Sequence, residues 1–400
     1  MSNPNAVPRK IRTVVADRLK HFLDTESAGA RLLGIATIVA LVWANSPLSS
    51  SYTSLWTAEL PGFLTVGGHI PDLRHLINDG LMALFFLVVG LEIKRELVNG
   101  ELSSVRSAAL PAVAALGGMV LPALIYVSLN AGTATGRGWG IPIATDIAFA
   151  VAVLVVFGSR IPTGLKVFLL SLAIVDDIGA IAAIAIFYTE DIQVPWLVVM
   201  AITILALTVA TRFATLRWWV ILPAGSLLWT AAVYAGIHPT IAGVLLAFTI
   251  SIRDEEGPSV EDRLHPYTGL LVIPLFGLAN TGVPVSLPAL GEVVTSAAGA
   301  GIVLGLVVGK IAGVSLFSWA AVKLGLGELP EGVTWGHLVG AAAAAGIGFT
   351  VSLFITDLAF TDPDLVEAAK LAVFVGSVAS AILAFLILRA ATSPRTDAGP

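Results

Sequence analysis

The chain has 400 residues, of which 56% are hydrophobic and 12% are charged, and its formal net charge is −5. An ordinary soluble domain carries roughly 25% charged residues, so this composition argues against a water-soluble fold of this size. The absence of cysteine excludes disulfides, thiolate metal sites and cysteine nucleophiles.

Apolar runs recur from Gly29 to Leu388, each about 20 residues long, which is the length that a helix needs to cross a bilayer. We predict an all-α polytopic membrane protein with about 12 transmembrane helices in one domain over 29–390. A basic cytoplasmic segment over 1–28 precedes this domain, and a cytoplasmic tail over 391–400 follows it. The predicted spans are 29–46, 76–98, 107–129, 139–158, 163–188, 194–212, 217–235, 239–252, 266–286, 297–322, 337–359 and 366–390.

The basic residues alternate between the two sides of these spans. If the N-terminus is cytoplasmic, 18 of the 22 Lys and Arg residues fall on that side. The opposite side has Arg74, Arg137 and Lys370, and Lys310 lies inside the tenth predicted span. Positive residues concentrate on the cytoplasmic side of helical membrane proteins. The pattern therefore predicts an even number of spans with both termini in the cytoplasm.

Two segments outside the spans have patterns of their own. Residues 7–25 place apolar side chains at helical spacing among basic residues, which is typical of a helix lying on a lipid surface or of a solvated tail. In the outer loop 47–75, residues 63–70 read as a short β-hairpin with a turn at Gly67-Gly68. The edge of this hairpin can pair with a second subunit, so we predict a homodimer contact there.

The fifth predicted span, SLAIVDDIGAIAAIAIF, carries Asp176 and Asp177 at its middle. A charged residue at this depth costs roughly 2.5–3.5 kcal/mol on insertion scales and marks an ion path or proton relay. Successive helical residues point about 100° apart, so the two carboxylates face neighbouring sectors of one cavity. Such a pair does not easily stay ionised without a cation, and one site can then hold either protons or a metal ion.

The fourth predicted span, GWGIPIATDIAFAVAVLVVFG, has Pro142, Thr145 and Asp146 near its middle. Proline removes a backbone donor, so we predict that the helix breaks there and frees carbonyl oxygens. Sodium prefers oxygen ligands, which these carbonyls, the Thr145 hydroxyl and the Asp146 carboxylate supply. A proline kink with a self-bonded threonine is the structural alternative.

Lys310 is too deep in the tenth predicted span to reach an interface, so it needs a carboxylate partner. Asp176 and Asp177 both fit that role. Displacement of the lysine by a cation or proton would then act as a switch.

The eleventh predicted span has Gly346-Ile347-Gly348-Phe349-Thr350 near its centre, similar to the interruption in the fourth. Paired interrupted helices in the two halves of a chain indicate inverted-topology repeats, with two discontinuous helices crossing at mid-membrane. Small residues that allow close helix packing would give the same local pattern.

Several long stretches resemble one family, the NhaA-type sodium/proton antiporters of bacterial inner membranes. They are WANS at Trp43, INDGLMALFFLVVGLEIKREL, GIPIATDIAFAVAVL, LKVFLLSLAIVDDIGAIAAIAIFYT, GIHPTIAGV, LHPYTGLLVIPLFGLANTGV and GIGFTVSLFI. The inverted-repeat fold of that family is itself a known example of the general rule. Two positions depart from the family pattern: Ile311 follows Lys310 where a proline is frequent, and Pro239 stands where alanine is common.

The resemblance implies roles for individual residues. Asp177 would be the main cation and proton site and Asp176 its partner, linked to Lys310, with Thr145 and Asp146 at the crossing of the broken helices. Transient Na+ would bind Asp177, Asp176 and Thr145. The resemblance also implies a cytoplasmic pH-sensing cluster, whose matching positions are Glu92, Arg95, Glu96, His238 and Glu261.

We therefore predict an electrogenic antiporter that exports Na+, and Li+ as well, in exchange for H+ by alternating access. Its activity should rise at alkaline pH and serve pH and sodium homeostasis. It is expected to be a secondary transporter and not an enzyme, with no cofactor, no nucleic-acid partner and an inner-membrane location. The alternatives are a sodium-coupled symporter of an organic substrate and an intramembrane aspartyl protease.

Overall fold

A computed structural model describes residues 9–61, 70–189, 192–213, 218–251 and 260–393, with side chains from Thr25 onward and without that of Arg212. Within this part of the chain the regular structure is helical, as predicted, apart from one isolated β-bridge. Strong apolar content and sparse charge make these helices suited to lipid, where every backbone polar group must be bonded within its own segment.

The helices follow one another with short connections. In chain order they are α1 Arg9–Ala44, α2 Ser49–Trp56, α3 Leu73–His75, α4 Met82–Asn99, α5 Val105–Asn130, α6 Ile147–Val156, α7 Thr163–Phe187, α8 Val194–Phe213, α9 Trp218–Ala235, α10 Thr240–Thr249, α11 Val260–Tyr267, α12 Ile273–Asn280, α13 Leu287–Thr295, α14 Ala297–Leu304, α15 Lys310–Lys323, α16 Trp335–Ala345, α17 Phe349–Ala359 and α18 Pro363–Ala391. Three π-helical turns, Leu76–Leu81, Thr268–Val272 and Gly305–Gly309, join consecutive helices, and a 3₁₀ helix covers Ala134–Ile143.

Eight described helices are long and apolar enough to cross a membrane, and the number rises to ten if two bent helix pairs each count as one span. The remaining two predicted spans fall on α10, which has only 10 residues, and on the continuous helical stretch from Val260 to Asn280. The polytopic membrane fold is confirmed. The count of 12 stays a prediction.

Helix α1 runs without interruption through the predicted boundary at residue 28, so the basic segment from Arg9 onward and the first span form one helix.

The predicted hairpin residues 63–69 lie outside the described residues. At their base, Glu59 and Asp72 form an isolated antiparallel bridge, so the chain returns on itself there.

The most extensive helix pair is α5 against α15, which share a seam of glycines. Gly117 and Gly313 face each other so closely that a Cβ on either would overlap the other's carbonyl oxygen. Gly118 in the same seam lies beside the side chain of Lys310. Small residues let membrane helices approach to backbone contact, and here the approach holds Lys310 in the interior.

We predict that Gly313→Ala destabilises the protein by about 1–3 kcal/mol, the usual cost of overpacking a filled interface. The measurement is the thermal melting temperature of the purified protein in detergent. Gly291→Ala is the matched control, because Gly291 is helical and exposed and nothing lies within 4 Å of an added Cβ. Equal melting temperatures for the two variants would contradict the close approach of α5 and α15.

Candidate functional site

The first break in a helix lies between the 3₁₀ helix Ala134–Ile143 and α6, whose axes differ by 42°. Ala144 and Asp146 have extended backbone there, with ψ of 153° and 104°. The side chain of Asp146 caps α6 by accepting a hydrogen bond of 3.1 Å from the backbone N–H of Phe149. The prediction of a broken helix at Pro142 to Asp146 is confirmed.

The second break separates α16 from α17, whose axes differ by 41°. It includes Gly346, where a Cβ would overlap the carbonyl oxygen of Leu306, so no larger residue fits. Small residues in the eleventh predicted span thus accompany a real interruption as well as close packing.

The two breaks bond to each other. The backbone N–H of Asp146 donates to the carbonyl of Ile347 at 2.6 Å, and the Thr350 hydroxyl and N–H donate to Asp146 Oδ2 at 2.7 and 3.1 Å. The Thr145 hydroxyl lies 2.8 Å from the carbonyl oxygen of Ala345. Each broken helix thus satisfies backbone groups that the other leaves open, which membrane interiors require.

Lys310 pairs with Asp176, which decides between the two partners that the sequence left open. Its Nζ lies 2.5 Å from Asp176 Oδ2, and neither side chain is exposed. The ammonium also donates to the carbonyl of Ile143 at 2.6 Å and to the Thr145 hydroxyl at 3.0 Å. These three acceptors use all the donors that an ammonium has. Ile311 in place of a proline therefore does not keep Lys310 away from the site.

Thr145 joins the two halves of this arrangement. Its hydroxyl oxygen lies 2.6 Å from Asp176 Oδ2 and accepts from Lys310. The hydroxyl has one proton, so it can donate to Asp176 or to Ala345 but not to both at once. The other carboxylate oxygen of Asp176, Oδ1, has no hydrogen-bond partner among the described residues.

Asp177 faces a cavity instead of the lysine. The cavity has a volume of about 40 Å³, and its polar lining residues are Glu26, Glu92, Thr145, Asp146, Asp177, His265, Thr268 and Thr350. It extends from the helix breaks towards the end of α4 that carries Glu92. We call this end of the bundle the Glu92 end.

Four of the five predicted regulatory residues lie at the Glu92 end. Arg95 forms ion pairs with Glu261 and, at 3.9 Å, with Glu96, and Glu92 lines the cavity beside them. Burial raises the pKa of Glu261 above its ordinary value, although the guanidinium of Arg95 opposes this.

Two residues that the sequence reasoning missed complete this cluster. His265 Nε2 lies 2.9 Å from Glu26 Oε1, which ties α11 to α1. Burial alone lowers the pKa of His265, but its hydrogen bond and attraction to Glu26 outweigh burial, so the pKa is raised. The partners are 239 positions apart in the chain, and no local pattern connects them.

The prediction that His238 belongs to this cluster is wrong. Its Nε2 lies 3.6 Å from Asp79, and its ring packs edge-on against Phe354. Burial lowers the pKa of His238 to about 3, so it is neutral at physiological pH. Asp79 precedes Glu92 by 13 residues along one span, about 20 Å of helix. We call the end that carries Asp79 the Asp79 end.

The sequence reasoning also missed a polar group at the Asp79 end, in which Lys370 pairs with Asp357 at 2.7 Å. Asn78 and Asn280 complete the group. The signal was an aspartate inside the eleventh predicted span and a lysine near the start of the twelfth.

Comparison with known proteins places the chain among relatives of similar length. The profile of the family described as Na+/H+ antiporter 1 matches residues 20–388. The protein named Na(+)/H(+) antiporter NhaA of Escherichia coli O1:K1 / APEC is 44% identical over 385 residues, which cover 94% of this chain and 99% of the relative. The proteins of that name from Shigella dysenteriae serotype 1 (strain Sd197) and Shigella boydii serotype 4 (strain Sb227) match with the same identity and coverage. The resemblance seen in the sequence is thereby confirmed, and this chain belongs to the Na+/H+ antiporter 1 family.

Proposed function

We propose that this chain exchanges sodium ions for protons across a membrane, with Asp177 as the ion-binding carboxylate. The observation that carries the proposal is the position of Asp177, in a cavity at the meeting point of two broken helices, beside a lysine-neutralised Asp176. Membership of an antiporter family makes the chain a secondary transporter and not an enzyme.

The cavity argues against the two alternatives. A volume of about 40 Å³ holds a small ion with little water, whereas pockets for organic ligands measure roughly 300–1,000 Å³. An aspartyl protease needs two carboxylates facing each other across a water molecule. Here Asp176 and Asp177 are adjacent on α7, and Asp176 is engaged by Lys310.

In the proposed cycle, sodium binds Asp177 with oxygen ligands from the first helix break, and the Thr145 hydroxyl is one of them. Protons arriving from the opposite side neutralise Asp177 and release Asp176 from Lys310, so the ion leaves. Two carboxylates can take up two protons for one monovalent cation, and such an exchange moves net charge across the membrane. Lithium shares the charge and ligand preference of sodium and is expected to be carried as well.

Alternating access is supported by the contrast between the two ends. The cavity extends from Asp177 to the Glu92 end. On the way to the Asp79 end, three phenylalanine rings pack together: the ring centroids of Phe86 and Phe276 lie 5.5 and 6.4 Å from that of Phe354. A transporter of this kind needs a second conformation in which the accessibility is reversed.

The membrane arrangement is also a proposal in its finer points. We propose 12 spans with inverted repeats, both termini in the cytoplasm and residence in a bacterial inner membrane, with lipid as the surrounding partner. The distribution of Lys and Arg residues supports this orientation. The proposed dimer contact through residues 63–70 lies almost wholly outside the described residues.

We propose that the Glu92-end cluster of Glu92, Arg95, Glu96 and Glu261, with Glu26 and His265, adjusts activity to pH. His265 has a folded pKa above its unfolded value, so its stabilising pair with Glu26 is present at acid pH and is lost as pH rises through the folded pKa. Loss of this pair frees α11 from α1 at the cavity mouth. Activity should therefore increase towards alkaline pH.

The proposed cycle depends on the ionisable carboxylate of Asp177. We expect Asp177→Asn to lower sodium-induced dissipation of a pH gradient in proteoliposomes by at least about tenfold, because asparagine offers neither a charge for sodium nor a site for a proton. Asp364→Asn is the matched control, since Asp364 is exposed in the first turn of α18. Equal rates for Asp177→Asn and the unaltered protein would rule out Asp177 as the ion site.

The coupling between Lys310 and Asp176 can be measured through protein stability. Lys310→Gln leaves Asp176 buried without its cation and should cost about 3–5 kcal/mol of stability. The double variant Asp176→Asn/Lys310→Gln has no unpaired charge and should melt at a higher temperature than Lys310→Gln alone. Additive losses in this double-mutant cycle, measured by thermal melting, would mean that the pair is not coupled.

The rate of sodium-induced exchange should depend on pH through the pair of His265 and Glu26. The sodium-induced rate of the unaltered protein should rise from about pH 6 to about pH 9, and His265→Gln should extend activity to lower pH because the acid-stabilised pair is absent. His75→Gln is the control, since it removes an exposed histidine that pairs with Asp72 at 2.8 Å. A flat profile for the unaltered protein, or an unchanged profile for His265→Gln, would contradict regulation at the Glu92 end.

A further inference from the structure

A closed set of four polar side chains lies at the Asp79 end and comes from four different segments. Asn78 is in the π-helical turn before α4, Asn280 ends α12, Asp357 is in α17 and Lys370 is in α18. We call this set the Asp357 group. Its lysine and Asn280 are buried, with 4% and 3% exposure, while the side chain of Asp357 is 22% exposed.

Oxygen atoms hold the ammonium of Lys370. Asp357 Oδ1 lies 2.7 Å from Nζ, and Asn280 Oδ1 lies 3.3 Å from it. Asn280 in turn donates to Asn78 Oδ1 at 2.7 Å, and Asn78 donates to Asp357 Oδ2 at 3.3 Å. One carboxylate with neutral oxygens around it is also the ligand set that a small monovalent cation prefers.

The same construction occurs at the other buried lysine. Lys310 is held by one carboxylate oxygen of Asp176, one hydroxyl and one backbone carbonyl. In both places the ammonium of a buried lysine forms an ion pair with a single aspartate and is surrounded otherwise by neutral oxygen ligands. A buried charge is expensive to keep, so two such pairs in one bundle need a common reason.

The position of Asp357 supplies that reason. Thr350 bonds the carboxylate of Asp146. Asp357 follows Thr350 by seven residues on α17, so the two lie on the same face of the helix, about 10.5 Å apart. Phe354 lies between them along this face and packs against Phe86 and Phe276. Asp357 is therefore the carboxylate of α17 that lies beyond these aromatic residues, on the side towards the Asp79 end.

We propose that Asp357 is a second cation-binding carboxylate of this transporter, where the ammonium of Lys370 occupies the position of the transported monovalent cation. The proposal rests on the proposed exchange of sodium and deepens it. Sodium that passes the aromatic residues displaces the ammonium from Asp357, and the ammonium returns when the ion leaves. The Asp357 group thereby opens only for an ion in transit.

The first test measures sodium binding without transport. In an Asp177→Asn background, we expect sodium chloride to raise the melting temperature when Lys370→Gln is added, because the competing ammonium is gone. Choline chloride at the same ionic strength should give no increase. Adding Asp357→Asn to that protein should abolish the sodium effect. A sodium effect that persists without the Asp357 carboxylate would overturn the proposal. The absence of any sodium effect in Asp177→Asn/Lys370→Gln would overturn it as well.

The second test uses transport in proteoliposomes. Lys370→Gln should lower the half-saturating sodium concentration by at least about threefold, a size expected from coupling within one ion-pair network. Asp357→Asn should raise it, and the double variant should lose the gain of Lys370→Gln. A pair with only a structural role predicts shifts in the same direction for both single variants, which would overturn the proposal.

The controls separate this proposal from the proposed function. Asp364→Asn should behave as the unaltered protein. If the unaltered protein itself does not dissipate a pH gradient with sodium, the proposed antiport is wrong regardless of Asp357. Where Asp357→Asn does not fold because Lys370 is left unpaired, the double variant, which has no unpaired charge, provides the comparison with Lys370→Gln.

Discussion

The ammonium of Lys310 has no contact with solvent, and the rest of the site is arranged around the need to satisfy it. A buried ion pair is tolerated only when its remaining donors and acceptors are bonded. Asp176 supplies the charge, but two further acceptors must come from elsewhere, and a regular helix has no free carbonyls in its middle. The break after Ile143 provides one carbonyl and turns the Thr145 hydroxyl towards the lysine.

Breaking one helix creates a new cost, because backbone groups near Asp146 and Thr145 lose their helical partners. The second broken helix compensates, because the carbonyl of Ile347 accepts from the backbone N–H of Asp146 and Thr350 bonds the Asp146 carboxylate. The Thr145 hydroxyl in turn lies 2.8 Å from the carbonyl oxygen of Ala345. Two interruptions are therefore more stable together than either would be alone in a membrane. Asp177, one residue beyond Asp176, lines the cavity, so of the two adjacent aspartates only Asp176 is held by the lysine.

Much of this was predictable from the sequence, because a charge or proline in an apolar span has few explanations. The break at Pro142 to Asp146 and the pairing of Lys310 with an aspartate follow from the cost of leaving them unsatisfied. The choice of Asp176 over Asp177 does not follow, since it depends on how far α7 is rotated. His238 was placed wrongly because the resemblance grouped it with Glu92, which lies about 20 Å of helix away from Asp79, the partner of His238. Glu26 and His265 meet only through tertiary packing.

The two buried lysines each balance the charge of one aspartate. In the exchange proposed above, a cation takes the place of an ammonium that a carboxylate and neutral oxygens surround, and the lysine balances the charge when no ion is bound. An aspartate without such a lysine would have to be protonated or collapse onto another donor. Asp177 pairs with no lysine among the described residues and faces the cavity, so in the proposed cycle a proton is its alternative partner to sodium. In the proposed cycle sodium therefore competes with a proton at Asp177, whereas Asp176 leaves Lys310 when it is protonated and Asp357 leaves Lys370 when sodium binds.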